Sequence, residues 1–190
     1  MKLRGDYMKG YIKSVVSIVI VGSMCIGLTG CSKDARDCKK NGKEFIEAAL
    51  EVDFDDMEDY VVDEDMVQAM EYAYDQTDSQ ITDIMEDFFE YATVRVDSVD
   101  VGKKRITVTY IITIPDPDEV ADLRAECESV PDAIEEVSDT VDYEVELEFV
   151  NKHDEWQIDN VDQFYDDFYG ELYDFASRYA AVSAALDAIG

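Results

Sequence analysis

Apolar residues recur along this chain first at helical spacing, then at every second position, then at helical spacing again. Over 36–52, Phe45, Ala48, Ala49 and Val52 fall at i, i+3, i+4 and i+7, which predicts a helix. Gly42 lies inside it and weakens it. The stretch DFDDMEDYVVDED (53–65) predicts a short helical or irregular piece with Phe54, Met57 and Val61 on one side. Residues 64–76 continue with Met66, Met70, Ala73 and Tyr74. After Thr77-Asp78, the positions Ile81, Ile84, Met85 and Phe88 mark a helix over 79–91, with Asp78 as its N-cap.

The period then changes to two. TVRVDSVDV (93–101) and RITVTYIITI (105–114) flank Gly102-Lys103-Lys104, a hairpin signal. Ile106, Val108, Tyr110 and Ile112 share one face of the second strand, and Thr107, Thr109 and Thr113 the other. Pro115 and Pro117 stop it. Residues 118–136 read as one helix that Pro131 kinks or breaks. DYEVELEFV (142–150) alternates Tyr143, Val145, Leu147 and Phe149 with Glu144, Glu146 and Glu148. After the turn NKHDE, EWQIDNV (155–161) returns with Trp156 and Ile158 facing inward. A last helix over 162–188 carries the stripe Phe164, Phe168, Leu172, Phe175, Tyr179, Val182 and Leu186. No internal repeat is present.

A sheet with one apolar face and one Thr/Glu face is covered on one side only. The pattern therefore predicts an α+β fold: an antiparallel sheet of about four strands, covered on one face by N-terminal, inserted and C-terminal helices.

The N-terminus follows a different logic. Residues 1–13 are short and basic, and SVVSIVIVGSMCIGL (14–28) is uncharged and apolar. Fifteen helical residues reach about 22 Å at about 1.5 Å each, against a hydrocarbon core of about 30 Å. A basic segment, a short apolar core and small residues describe a secretory signal peptide. It ends in Leu28-Thr29-Gly30-Cys31, and charge resumes at Lys33 and Asp34. This ending resembles the bacterial lipobox, which implies cleavage between Gly30 and Cys31 and a diacylglyceryl group on the Cys31 sulfur. Two acyl chains give stable membrane residence where one gives only marginal binding. The expected organisation is a removed leader over 1–30, the lipidated Cys31 with a tether over 31–37, and one domain over 38–190. The expected location is the outer face of the bacterial cytoplasmic membrane, with the lipid on Cys31 as the contact.

Composition narrows the partners. The 190-residue chain carries a formal charge of −30. The leader holds four basic residues against Asp6 alone, so residues 31–190 keep 12 of the 16 basic and 45 of the 46 acidic side chains. Such a surface repels phosphate backbones and anionic lipid, which excludes nucleic acid as a partner. Its 12 Tyr and 8 Phe separate it from acidic disordered chains and supply one core. The Glu144, Glu146 and Glu148 row opposes sheet-to-sheet pairing and favours a monomer.

Residues with chemistry are few. Once the leader is removed and Cys31 lipidated, Cys38 and Cys127 remain. Two readings stand: a disulfide across a long loop, or two small buried hydrophobes on helical faces. Two cysteines and the single histidine, His153, do not make a zinc site. His153 falls in a hairpin turn, as a solvated residue. The acidic run Asp53, Asp55, Asp56, Glu58, Asp59, Asp63, Glu64 and Asp65 lacks the ordered spacing of a calcium loop. It reads as a solvated face. No catalytic residue, metal or cofactor is assigned.

The lipobox, FIEAALEVDFDDMEDYV, the hairpin VDSVDVGKKRITVTYIITI and VELEFVNKHDEWQIDNVDQFYDDFYG together resemble the small Gram-positive lipoproteins with a nuclear transport factor 2-like (cystatin-like) domain of unknown function. The resemblance covers roughly residues 36–170 and implies a cone-like α+β fold. Trp156, Asp159 and Phe164 match the last strand pair and its acidic exit. The turn departs from the pattern, with Asp154-Glu155 where glycine often precedes the Trp. That fold hosts both enzymes, which use Asp, His and Tyr inside the cone, and inert binding modules.

The expected function is a non-enzymatic, lipid-anchored extracytoplasmic domain that binds an envelope protein or a small apolar ligand. Two alternatives stand beside it: a cone-type isomerase or dehydratase with a buried carboxylate base, and a structural or cation-associating surface protein. The terminal stripe, if only half covered, is the best partner surface.

Overall fold

A computed structural model describes residues 32–123, 126, 127 and 129–187, with nothing said of the side chains of 185–187. The leader, Gly30 and Cys31 lie outside the described residues, as does the side chain of Leu186. No described helix is long and apolar enough to cross a membrane.

The period-two segments form a single antiparallel meander in the order β1 (Thr93–Val101), β2 (Arg105–Pro115), β3 (Thr140–Lys152), β4 (Glu155–Ile158). Tyr110 pairs with Val145 and Val108 with Leu147, so apolar side chains of neighbouring strands stack on one face. Val94, Val96, Val99 and Val101 break strict alternation, and a bulge between Val96 and Ser98 resolves the conflict. It switches parity once, so that Val96 lies beside Tyr110 and Val99 beside Val108. Beyond β4, residues 60–62 extend the sheet by a parallel bridge, with Val62 N–H donating to the Ile158 carbonyl at 2.9 Å.

Helices cover the apolar face, as the pattern requires. They are α1 (Lys33–Leu50), α2 (Phe54–Glu58), α3 (Glu64–Asp75) and α4 (Ser79–Glu90) before the sheet, and α5 (Pro117–Leu123) and α6 (Val130–Glu136) between β2 and β3. After β4 come α7 (Val161–Phe164), a π-helical turn (Tyr165–Tyr169) and α8 (Gly170–Asp187). One core joins them: Phe45, Phe88, Tyr110, Phe149, Phe164 and Phe168 are all fully buried. Burying a side chain of this size contributes on the order of 1.5–3 kcal/mol.

Several elements differ from the sequence expectation. The helix expected from 36 begins at Lys33, because Ser32 caps it by accepting from Ala35 N–H at 3.1 Å. Ala35 is fully buried, so 33–37 belong to α1 and the tether shrinks to Ser32. The helical stretch expected over 118–136, with Pro131 expected to kink or break it, is two helices, with the break ahead of Pro131. Pro131 sits in the first turn of α6, where its missing N–H costs nothing, and Ser129 caps that turn. The strand expected over 155–161 ends at Ile158, where Asn160 takes over the edge of β3. Its side chain accepts from Glu148 N–H and donates to the Glu146 carbonyl, both at 2.8 Å.

Two backbone sites are strained. Val52 follows α1 with φ 58°, while Val52 N–H reaches the Ala49 carbonyl and Asp53 N–H the Ala48 carbonyl. This is a Schellman helix end with valine at the position glycine normally takes. The β3–β4 hairpin turns on His153 and Asp154, with φ 53° and 72°. Both left-handed residues of a two-residue turn are therefore non-glycine.

Candidate binding groove

The terminal stripe is the longest apolar pattern in the chain, and its cover is uneven. Phe164, Phe168 and Leu172 are fully buried, Phe175 is 9 % exposed, Tyr179 is half-buried and Val182 is 54 % exposed. The N-terminal half packs on β3 and α4. The π-helical turn widens the first part, so that Phe168 and the adjacent Tyr169 are both buried. The C-terminal half is less covered.

There it forms the floor of an open groove of about 840 Å³. Ile84, Val130, Pro131, Phe175, Tyr179 and Val182 supply the apolar surface. The rim is ionic. Asp83 and Asp87 lie four residues apart on α4, and Asp118 and Asp122 four apart on α5. That spacing places each pair on one face of its helix. None of the four pairs with a cation among the described residues. Burial, then the carboxylates of Glu90, Asp83 and Glu86, push the Asp87 carboxyl above the ordinary range. Arg178 also lines the groove, with Nε donating to the Asp174 carbonyl at 3.1 Å. A smaller hollow of about 300 Å³ adjoins it, sharing Asp118, Phe175 and Arg178 and reaching Tyr143 and Val141 at the end of β3.

The interior between sheet and helices offers little chemistry. Thr82 on α4 and Thr109 on the Thr/Glu face of β2 are the buried polar side chains among the described residues, and no described carboxylate is fully buried. Tyr110 fills the space between sheet and α1, donating to the Cys38 and Lys39 carbonyls at 3.2 and 3.0 Å. The Tyr169 hydroxyl is buried without a hydrogen-bond partner among the described residues, and its pKa is raised by burial, then by Tyr74, Tyr165 and Glu86. The nearest tyrosine–carboxylate pair, Tyr74 donating to Glu86, is exposed on its acidic side.

Cys38 and Cys127 are free thiols. Cys38 is buried on α1, and burial followed by Asp34 and Asp37 pushes it up to about 12. Cys127 lines the groove between α5 and α6, with its thiol raised by desolvation and then by Glu136, Asp132 and Glu126. Neither is an activated nucleophile. His153 is exposed in its turn, away from the groove. In the acidic run, Asp53 caps α2 and Asp63 caps α3, which explains two of its carboxylates as helix starts. No cluster of three metal-ligating side chains occurs among the described residues.

No family model matches this chain, and no curated protein is similar to it. The groove itself was legible in part: the stripe pointed to it, but the two acidic pairs, separated by about thirty residues in sequence, did not.

Proposed function

We propose that the chain is a lipid-anchored extracytoplasmic binding module, non-enzymatic, whose docking site is the groove between α4, α5–α6 and α8. The observation that carries this is the half-covered terminal stripe, which leaves apolar surface in a concave, charged setting. The isomerase or dehydratase alternative needs a buried carboxylate base; among the described residues none is fully buried, and Asp87, whose carboxyl pKa burial raises, is half-buried in the open groove. The resemblance to nuclear transport factor 2-like lipoproteins supports the same reading through Leu28-Thr29-Gly30-Cys31. With α1 starting at Lys33, an anchor on Cys31 holds the domain directly against the membrane, separated by Ser32 alone.

Mass measurement on the chain extracted from membranes of the cells that make it tests the anchoring. The expected mass is residues 31–190 with a diacylglyceryl group on Cys31. A chain that retains 1–30, or carries an unmodified Cys31, overturns the anchor. Native mass on the same sample tests the binding role: excess mass lost on denaturation identifies a bound small ligand, and a bare monomer points to a protein partner.

A further inference from the structure

The groove has an acidic lining that a small apolar ligand would not use. Its floor runs from Phe175 to Val182 on α8, and Gln80 to Asp87 form one wall on α4. At about 1.5 Å per residue, each wall is about 10–12 Å long, or roughly two helical turns. Two acidic pairs line the groove, Asp83/Asp87 on α4 and Asp118/Asp122 on α5. Among the described residues, the groove lining carries these four carboxylates and one guanidinium, Arg178. The complementary object has an apolar stripe bordered by positive charge.

We infer that the groove takes a basic amphipathic helical segment of a partner protein, two to three turns long, with its apolar face on Phe175, Tyr179 and Val182 and its Lys or Arg side chains against the two aspartate pairs. This deepens the binding-module reading and rests on it. The mode is helix-in-groove recognition, in which apolar anchors supply affinity and rim charges supply orientation and speed of encounter. Asp87 fits this role, because it is half-buried in the groove lining beside Asp83 and Glu90, a setting that an incoming cation relieves. A second copy of the chain fits poorly, since its net charge of −30 brings like charge to the rim.

The test uses the purified full chain in non-ionic detergent and a fluorescent helical peptide of Leu and Lys with one apolar face. Its partner probe has Glu in place of Lys. The Asp83→Asn/Asp87→Asn/Asp118→Asn/Asp122→Asn variant is expected to weaken the Lys peptide about tenfold, the sum of four exposed pairs. A control variant neutralises four carboxylates on the open sheet face instead: Asp142→Asn, Glu144→Gln, Glu146→Gln and Glu148→Gln. It removes the same charge and is expected to weaken binding less than about threefold. Val182→Lys, at an exposed position that tolerates substitution, is expected to abolish the remaining affinity, and Arg178→Ala to tighten it. Equal losses in the groove and control variants mean that the peptide adsorbs to net charge, and overturn the proposal. Tighter binding of the Glu peptide, centred on Arg178, also overturns it. So does a concentration-dependent dimer that Val182→Lys dissolves, since the occupant is then a second copy. The anchoring is read by mass on Cys31, so its failure leaves these outcomes interpretable.

Discussion

A Cβ built on Gly42 would lie 2.3 Å from the Tyr110 hydroxyl and 2.9 Å from Cζ of Phe149. The absence of a side chain on α1 is what lets the helix settle onto β2 and β3. Tyr110 uses the space, reaching the carbonyls of Cys38 and Lys39 one turn before the glycine. By helix propensity, Gly42→Ala should stabilise by up to about 1 kcal/mol. By packing, it should destabilise by about 1–3 kcal/mol, because ring and backbone must move apart. We expect destabilisation in urea unfolding, partly relieved in Gly42→Ala/Tyr110→Phe. The relief is incomplete, since Cζ of Tyr110 also stands at 2.8 Å. A more stable single variant would refute the close approach.

Val52 holds a left-handed conformation that a β-branched side chain resists by roughly 1–2 kcal/mol. Its side chain also packs partly against the core, so two terms oppose. Val52→Ala removes the packing and keeps most of the strain, whereas Val52→Gly removes both. Val52→Gly is therefore expected to be more stable than Val52→Ala by about 1 kcal/mol, measured by denaturant midpoint. Equal midpoints would mean that the helix end carries no strain.

The turn at His153-Asp154 makes a parallel case at the surface. Both residues are exposed, so no packing term interferes. Replacing them by Asn-Gly should raise stability by about 0.5–1 kcal/mol while leaving the β3–β4 register intact. Amide exchange at Lys152 and Glu155 reports the register, and faster exchange at those sites would contradict the expectation.

Asp87 sets a pH dependence with a definite sign. Burial and its acidic neighbours raise its folded-state pKa above the ordinary 3.8. An acid with a raised folded pKa binds its proton more tightly when folded, so its ionisation lowers stability as pH rises through that window. Asp87→Asn should therefore be more stable than the parent at pH 7. The difference should vanish below the ordinary carboxylate range, where both side chains are neutral. A constant difference across pH would assign the effect to packing instead of charge.

Local periodicity made most of the architecture readable. The alternation in DYEVELEFV and RITVTYIITI pairs directly as β3 on β2, with Leu147 opposite Val108. Helix ends were readable where a side chain caps its own turn, as Asp78 does for Gln80 N–H at 2.9 Å. Places where a distant partner decides were not readable. Gly42 looked like a weak point in a helix until Tyr110 arrived from 68 positions later in the chain. The strand expected to run to Val161 stopped at Ile158, because the Asn160 side chain replaced backbone pairing with β3. The valines of β1 carried the bulge in their spacing, a three-residue step between Val96 and Val99, which alternation alone does not interpret.

By itself, the sequence determined the α+β class, the one-sided sheet and the stripe Phe164–Leu172–Val182, because these follow from side-chain periods that act over a few residues. Tertiary structure alone decided which half of the stripe is covered and which carboxylates face it. Asp83/Asp87 and Asp118/Asp122 come to line one groove only when α4, α5 and α8 are brought together. That placement depends on long-range packing, which no local pattern encodes.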